Sequence, residues 1–383
     1  MRPRNTILLT IDGLRAAALG AYGNTWHPTP ALDQLACGSV LVEWAFAETA
    51  DPLTIHRQLA DLLPPADWRQ VVTDDPAAAE TLTQNPSNAS RFDSVLQLET
   101  PAPAAAAEAI PDTALAVAFA GFVEAVEAAN LGGASDSKTL WLHTRGLTGP
   151  WDAPAEVIAR LVDEDDPAPP ESTAPAAGRI DRQADPDAVF AAACRYAAQI
   201  AVLDTCLGQL VATIDQQDPQ RQTQLVLLGV RGYPLGEHGR VGMPEAGAYA
   251  ESRHVPLLVR DHRRTPGRRF AAAPITLLAA LSAVAKADRL HDDGIEQALA
   301  AHASATVVLH GQKPAARSMD WCLVAGSDAN SSNAAAPGGR GADNHELYAK
   351  PDDRWEANNV ASVRPGVVEA MAALLAAEAA RDG

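Results

Sequence analysis

Short apolar runs separated by helix-length stretches constrain this 383-residue chain more than any other feature. Runs suited to buried strands stand at Thr6 to Ile11, Trp68 to Thr73, Ser94 to Leu98, Thr139 to His143, Leu225 to Leu228 and Pro256 to Val259. Helical patterns lie between several of them. The clearest is Tyr196, Ile200, Leu203, Leu207, Leu210 and Ile214, whose spacings of four and three put one apolar stripe on one side of a helix. Leu115, Phe119, Phe122 and Val126 form a second. Strands alternating with helices predict an α/β fold with a mainly parallel central sheet flanked by helices, because a parallel crossover needs a connection long enough to return the chain. We expect a large α/β domain over residues 1–285 and a small C-terminal sub-domain over 286–383 packed on it.

Thr29 followed by Pro30 reads as a helix start, with the hydroxyl capping free amides and proline where no donor is lost. Three segments interrupt the pattern and are expected as surface loops: Pro76 to Ser90, Pro101 to Pro111 and the acidic, Pro-rich Asp163 to Pro186. Ser327 to Ala342 is expected to be mobile, since its composition offers little apolar surface to offset the entropy of ordering.

The net charge of -18, from 48 acidic against 30 basic residues, repels a phosphate backbone and argues against nucleic acid as a partner. A strand pattern begins by Thr6 without a basic and apolar leader, and no run reads as long enough to span a bilayer. The expectation is a soluble, cytoplasmic protein with no membrane partner. Cys37, Cys194, Cys206 and Cys322 lack a paired or metal-type spacing and read as buried core thiols.

Several motifs recur in a telling order. The chain opens Asn5-Thr-Ile-Leu-Leu-Thr-Ile-Asp-Gly-Leu-Arg15, then Gly20-Ala-Tyr-Gly23 and Thr29-Pro-Ala-Leu-Asp-Gln-Leu35. Later come Trp141-Leu-His-Thr-Arg-Gly-Leu-Thr-Gly-Pro-Trp151, Leu225-Val-Leu-Leu-Gly-Val-Arg-Gly232, Gly236-Glu-His-Gly239, Tyr249-Ala-Glu-Ser-Arg-His-Val-Pro-Leu-Leu-Val259 and His345-Glu-Leu-Tyr348. Each is modest alone; in this order and spacing they resemble the sulfatase family of the alkaline phosphatase superfamily, over nearly the whole chain.

The resemblance implies sulfate or phosphate ester hydrolysis with a divalent cation and an oxidised Cys or Ser nucleophile, yet the positions it assigns carry other residues. A hard cation wants several oxygen ligands. Of the family's first Asp pair only Asp12 remains, beside Gly13, and the later ligand pair falls on Val230 and Arg231. The nucleophile position falls near Pro52, in Glu48-Thr-Ala-Asp-Pro-Leu-Thr-Ile-His56, with His56 where the motif's Arg would stand. The family's loop histidine maps to Thr148 and its lysine to Met243.

Single residues are weighed against plainer roles. Asp12 reads as an Asp holding a loop or pairing with an Arg, in preference to a residual metal ligand. Arg231 is expected to place its guanidinium near Asp12 as an internal substitute for the cation, because a lone carboxylate at a buried strand end is costly unless paired. Asp74-Asp75 reads as solvated, His143 as a hydrogen-bonded structural histidine, and His238 as a loop histidine ahead of a base or ligand. The Arg260, Arg263, Arg264, Arg268 and Arg269 cluster reads as a solvated loop, with anion capture as the sharper reading.

The function expected is a sulfatase-like pseudoenzyme acting as a binding or interaction protein, with no cofactor, and with an unknown protein or small anionic ligand as partner. Arg231 and Arg145 are the candidate anion-binding groups. The alternative is an active sulfuric or phosphoric ester hydrolase using Thr54 or Thr49 with Asp12 and His238, and calcium or another divalent cation.

Overall fold

The computed structural model describes residues 5–84, 91–133, 136–180, 185–242, 247–261, 267–287, 294–326 and 345–382. Its centre is an eight-stranded sheet built from β1 (Asn5–Ile11), β2 (Val40–Val42), β3 (Trp68–Thr73), β4 (Ser94–Gln97), β5 (Lys138–Thr144), β6 (Thr223–Gly229), β7 (Leu257–Asp261) and β8 (Arg268–Phe270). Their order is β8-β2-β7-β6-β1-β5-β3-β4, and every neighbouring pair is parallel except those made by β7, which runs antiparallel to β6 and β2. β1 lies between β5 and β6 in matched register, Ile11 opposite Thr144 on one side and Gly229 on the other. The three strands therefore end together, which is what builds a crevice at their C-terminal edge.

Helices cover both faces. Ile7, Leu9 and Ile11 face one core with α4 (Ala114–Ala129) and α5 (Pro186–Gln217); Leu8, on the opposite side of the pleat, faces another with α2 (Pro52–Leu62), α6 (Leu277–Lys286) and α7 (Gly294–His302). Along α5 the predicted stripe is buried: Ile200, Leu203, Leu207 and Leu210 are fully enclosed. Each contributes about 1.5–3 kcal/mol by leaving water. By length and composition α5 is apolar enough to cross a bilayer, contrary to the sequence reading, but two-thirds of its most apolar window lies buried in this core.

The expected division at residue 286 coincides with the end of α6. The following helix still sends Ile295 and Leu299 into the α/β core. An antiparallel four-stranded sheet then follows: β9 (Thr306–Leu309), β10 (Ala315–Ser318), β11 (Trp321–Val324) and β12 (Glu346–Ala349). One face packs Leu309, Cys322 and Tyr348 with Phe46, Ala248 and Tyr249 of the α/β unit; the other packs Leu323 and Leu347 with Val368 and Met371 of α8 (Pro365–Asp382).

Several local expectations are corrected. Pro76 to Gln84 is α3, not loop, because Pro76 occupies the first turn and Ala78, Ala79 and Leu82 form a buried stripe; residues 85–90 lie outside the described residues. Arg260, Arg268 and Arg269 stand on strands, not in a solvated loop, and pair with Asp215, Glu296 and Glu43. Arg263, Arg264 and the segment Ser327 to Ala342 lie outside the described residues. Cys37 is exposed, while Cys194, Cys206 and Cys322 are buried.

The start of α1 (Pro30–Cys37) is also capped differently. The Thr29 hydroxyl accepts from Gly20 N (2.9 Å) and donates to Asp33 Oδ1 (3.2 Å), while the first free amides, Ala31 N and Leu32 N, donate to Asp204 on α5 at 3.0 and 2.8 Å. Asp204→Ala is therefore expected to lower unfolding free energy by about 1–2 kcal/mol, more than Thr29→Ala does. Urea unfolding of both variants checks it, and the reverse ranking would return the cap to Thr29.

Candidate functional site

At the shared C-terminal end of β6, β1 and β5 lies a crevice of about 620 Å³ whose walls include Asp12, Thr49, Pro52, Arg145, Thr148 and Arg231. Residues 12, 52, 148 and 231, far apart in sequence, thus converge. Asp12 follows β1 directly and its amide continues the ladder to Thr144 O (3.0 Å). Gly13 then turns at φ 77, and a Cβ there would meet the Thr148 and Leu147 side chains at 3.0–3.1 Å, so the turn requires glycine.

The Asp12 carboxylate is fully engaged. Arg231 Nε donates to Oδ1 at 2.7 Å and Nη2 to Oδ2 at 2.8 Å, a two-pronged pair between buried side chains. Gly13 N donates to Oδ1 (2.9 Å) and the Thr148 hydroxyl to Oδ2 (3.0 Å). Arg231 Nη1 also reaches Ala50 O at 3.3 Å, tying the end of β1 to the loop before α2. The pairing anticipated for Arg231 is present. Val230 instead turns into the apolar core, its amide bonded to Ile11 O.

The other wall is the start of α2. Asp51 caps it, accepting from Leu53 N (3.1 Å) and Thr54 N (3.2 Å), with Pro52 at the first helical position. Thr49 lines the crevice and accepts from Asp51 N (3.2 Å). Thr54 is not among its lining residues; its hydroxyl donates to Asp51 Oδ2 (2.5 Å) and accepts from Arg57 (2.9 Å). His56 is wholly buried one turn later, its ring 4.1 Å from His143, and neither nitrogen has a partner among the described residues. Burial first, then the charges of His143, Arg231 and Arg57, holds it well below the usual imidazole range and keeps it neutral.

A family model described as sulfatase matches residues 74–299, more than half of the chain. The chain belongs to the sulfatase family. No curated protein matches it by sequence. Among solved structures, this sulfatase-family chain is similar to the phosphonate monoester hydrolase of Agrobacterium radiobacter, at 16% identity and TM-score 0.70, covering 99% of this chain and 96% of that one. It is also similar to a putative sulfatase from Bacteroides thetaiotaomicron (13% identity, TM-score 0.69, 100% and 93% coverage) and to one from Bacteroides fragilis (13%, 0.62, 96% and 93%). At such identity these likenesses concern the fold.

Other residues of the sulfatase-like chain fall where the sequence did not place them. His238 is not a crevice residue: Nδ1 bonds Glu251 (2.9 Å), Nε2 bonds Glu356 O (2.9 Å), and the ring stacks on Tyr249 at 3.8 Å. Burial works against its charge, but Glu251 outweighs it and raises the imidazole above its usual range. Asp74 is not solvated; it is buried, accepts from Arg145 N (2.9 Å), and burial pushes its carboxyl up. Asp75 lines the crevice 3.6 Å from His143 Nε2, and His143 is held by Thr10 at 2.8 Å. Met243 lies outside the described residues.

Sequence reasoning missed Arg253. It lines the crevice and is 1% exposed, and its side chain donates to His310 O (2.6 Å), leaving Nε and Nη1 without acceptors among the described residues. Burial, with Arg317 adding to it, pulls its pKa down to about 10. Among the described residues no three His, Cys, Asp or Glu side chains cluster at metal-binding distance.

Proposed function

We propose that this chain keeps the sulfatase fold without its hydrolytic chemistry and works as a non-catalytic binding or interaction protein. The observation that carries the reading is the Asp12–Arg231 fork: both carboxylate oxygens are already spent on a permanently charged guanidinium, with Thr148 and Gly13 N completing their hydrogen bonds. The divalent cation that the family implies does not fit these residues. It would displace Arg231 from its acceptors and sit beside its fixed charge; Asp51 and Asp75 also line the crevice, but among the described residues no three carboxylate, imidazole or thiol groups cluster to hold a cation. No step is assigned to a metal here.

The hydroxyls near the crevice support the same reading. The Thr54 hydroxyl is directed to the cap carboxylate of its own helix, Thr49 serves a turn, and both His238 nitrogens are engaged, by Glu251 and by Glu356 O. A nucleophile needs an adjacent base or a metal to activate it, and neither hydroxyl is paired with a histidine. Arg145 is one-third exposed on the crevice wall and remains the group placed to greet a small anionic ligand.

The test is metal analysis of purified protein together with turnover of aryl sulfates and phosphate monoesters. The expected outcome is less than one equivalent of calcium, magnesium or zinc, and no turnover above background. Stoichiometric metal lost in Asp12→Ala, or turnover lost in Thr49→Ala or Thr54→Ala, would return the chain to the hydrolases.

A further inference from the structure

Two residues other than glycine stand in the left-handed backbone region on either side of one contact: His238 at φ 51 and Glu356 at φ 55. Residues with a Cβ adopt this region at a cost, and they persist there only where the surroundings hold them. The His238 ring meets the Glu356 carbonyl through Nε2 at 2.9 Å and Glu251 Oε1 through Nδ1 at 2.9 Å. The first of these contacts ties the turn at residues 236–239, in the α/β unit, to the segment after β12, 118 residues further along the chain.

The two partners fix the protonation of the pair. A carbonyl oxygen only accepts, so Nε2 carries a proton. An ionised carboxylate also only accepts, so the Nδ1 contact needs a second proton, on the ring or on Glu251. The pair therefore holds one proton more than a neutral imidazole beside a carboxylate. The surroundings suit it. The Glu251 side chain is 7% exposed, and among the described residues His238 is the basic group within ion-pair distance of it. The other acids of this region are already paired: Glu237 with Arg15, Glu346 with Lys313, and Glu356 with Arg317 and Lys350. The ring stacks on Tyr249 at 3.8 Å and meets Tyr348 edge-on at 6.1 Å. Both phenols donate to Glu346 Oε2, and burial holds them above the usual phenol range, so they stay neutral while the ring titrates.

We propose that His238 and Glu251 form a proton latch: one bound proton closes the contact between the turn at residues 236–239 and the Glu356 segment, and its loss as pH rises opens it. Without that proton, either a bare Nε2 faces the carbonyl or a bare Nδ1 faces the carboxylate. The left-handed backbone at His238 and Glu356 then favours release. Glu251 shares the single helical turn Ala250–Arg253 with Arg253, a crevice residue, so the proton also sets how firmly that part of the crevice wall is held. None of this depends on whether the crevice is catalytic, since neither latch residue lines it.

The test follows the Ala250 amide, which donates to Glu356 Oε2 at 2.9 Å and is freed when the segment separates. Its hydrogen exchange, corrected for the intrinsic pH dependence of exchange, gives an opening constant for the full chain from about pH 6 to 9, a range that brackets a raised imidazole. That constant should rise about tenfold per pH unit from the ordinary imidazole value of about 6.5 up to the latch's own pKa and level off above it, the signature of one proton released on opening. His238→Asn, which tolerates the left-handed region and carries no titrating group, should show no such rise. Should that variant fail to fold, Glu251→Gln, which keeps the shape and removes the carboxylate, must abolish the rise instead. An opening constant that stays level with pH in the parent, or a rise that persists in His238→Asn or Glu251→Gln, would overturn the proposal.

Discussion

Replacing Glu356 with Leu is expected to lower the unfolding free energy by about 3–5 kcal/mol, the loss that follows when one partner leaves a buried ion cluster. The Glu356 side chain is fully enclosed; it meets Arg317 through both oxygens at 2.6 and 3.1 Å, Lys350 at 2.9 Å, and the amide of Ala250 at 2.9 Å. Its removal leaves Arg317, 3% exposed, and Lys350, 12% exposed, without their shared counter-ion. Glu356→Gln, which keeps the shape and some hydrogen bonds, should lose less. Urea unfolding checks both, and a loss under ~1 kcal/mol for Glu356→Leu would make the cluster no stronger than a surface pair.

The same cluster fixes a pH dependence. Burial raises the Glu356 carboxyl, but Arg317 and Lys350 outweigh it and hold it down to about 2, against an ordinary 4.5. A depressed acid stabilises the fold fully above its ordinary value and loses that contribution as pH falls towards 2. Stability should therefore decline between pH 4.5 and 2 less steeply in Glu356→Gln than in the parent. His238 acts in the other direction. Its pKa is raised, so the Glu251 contact stabilises below the ordinary imidazole range and fades as pH climbs past the raised value.

The second large effect is expected at the crevice. Asp12→Ala leaves Arg231 buried and unpaired and should cost about 3–5 kcal/mol. Asp12→Asn and Arg231→Met each break the fork from one side, whereas the double variant removes both charges together. Its loss should fall short of the sum of the single losses by about 0.5–3 kcal/mol. Additive losses would mean that the two groups, though 2.7 Å apart, do not support each other. A parent protein destabilised by a chelator would point to a metal at Asp12 instead.

The pair was legible in sequence because two parallel neighbours, β1 and β6, end in register at Ile11 and Gly229, and each residue follows its strand by one or two positions. The long strands were legible for a similar reason: buried on both faces, they are written as unbroken apolar runs. Val40–Val42 and Arg268–Phe270 escaped because three residues carry no period, and in Arg268 and Arg269 the charges masked an edge strand. Pro76–Gln84 escaped because its proline was read as a breaker when it stands at the first turn. What tertiary packing alone decides was not readable. Asp204 caps a helix through an amide 173 residues earlier, and His238 is turned from the crevice by Glu356, which arrives 118 residues later. Arg253 gave no signal, since its neighbours Gly311 and Gln312 reach the crevice only once the second sheet has docked.

That docking has a clock attached. Ala250 and its acceptor Glu356 are 106 residues apart. Synthesis at ~5–20 residues per second therefore takes roughly 5–20 s to supply the second after the first. Arg317 is made 39 residues before its counter-ion. Through that interval the part of Phe46, Ala248 and Tyr249 that packs on the second sheet stands open to the surroundings. The nascent chain is thus sticky for seconds in a way the finished molecule is not, and ribosome-associated chaperones or a slowed translation rate would govern its yield.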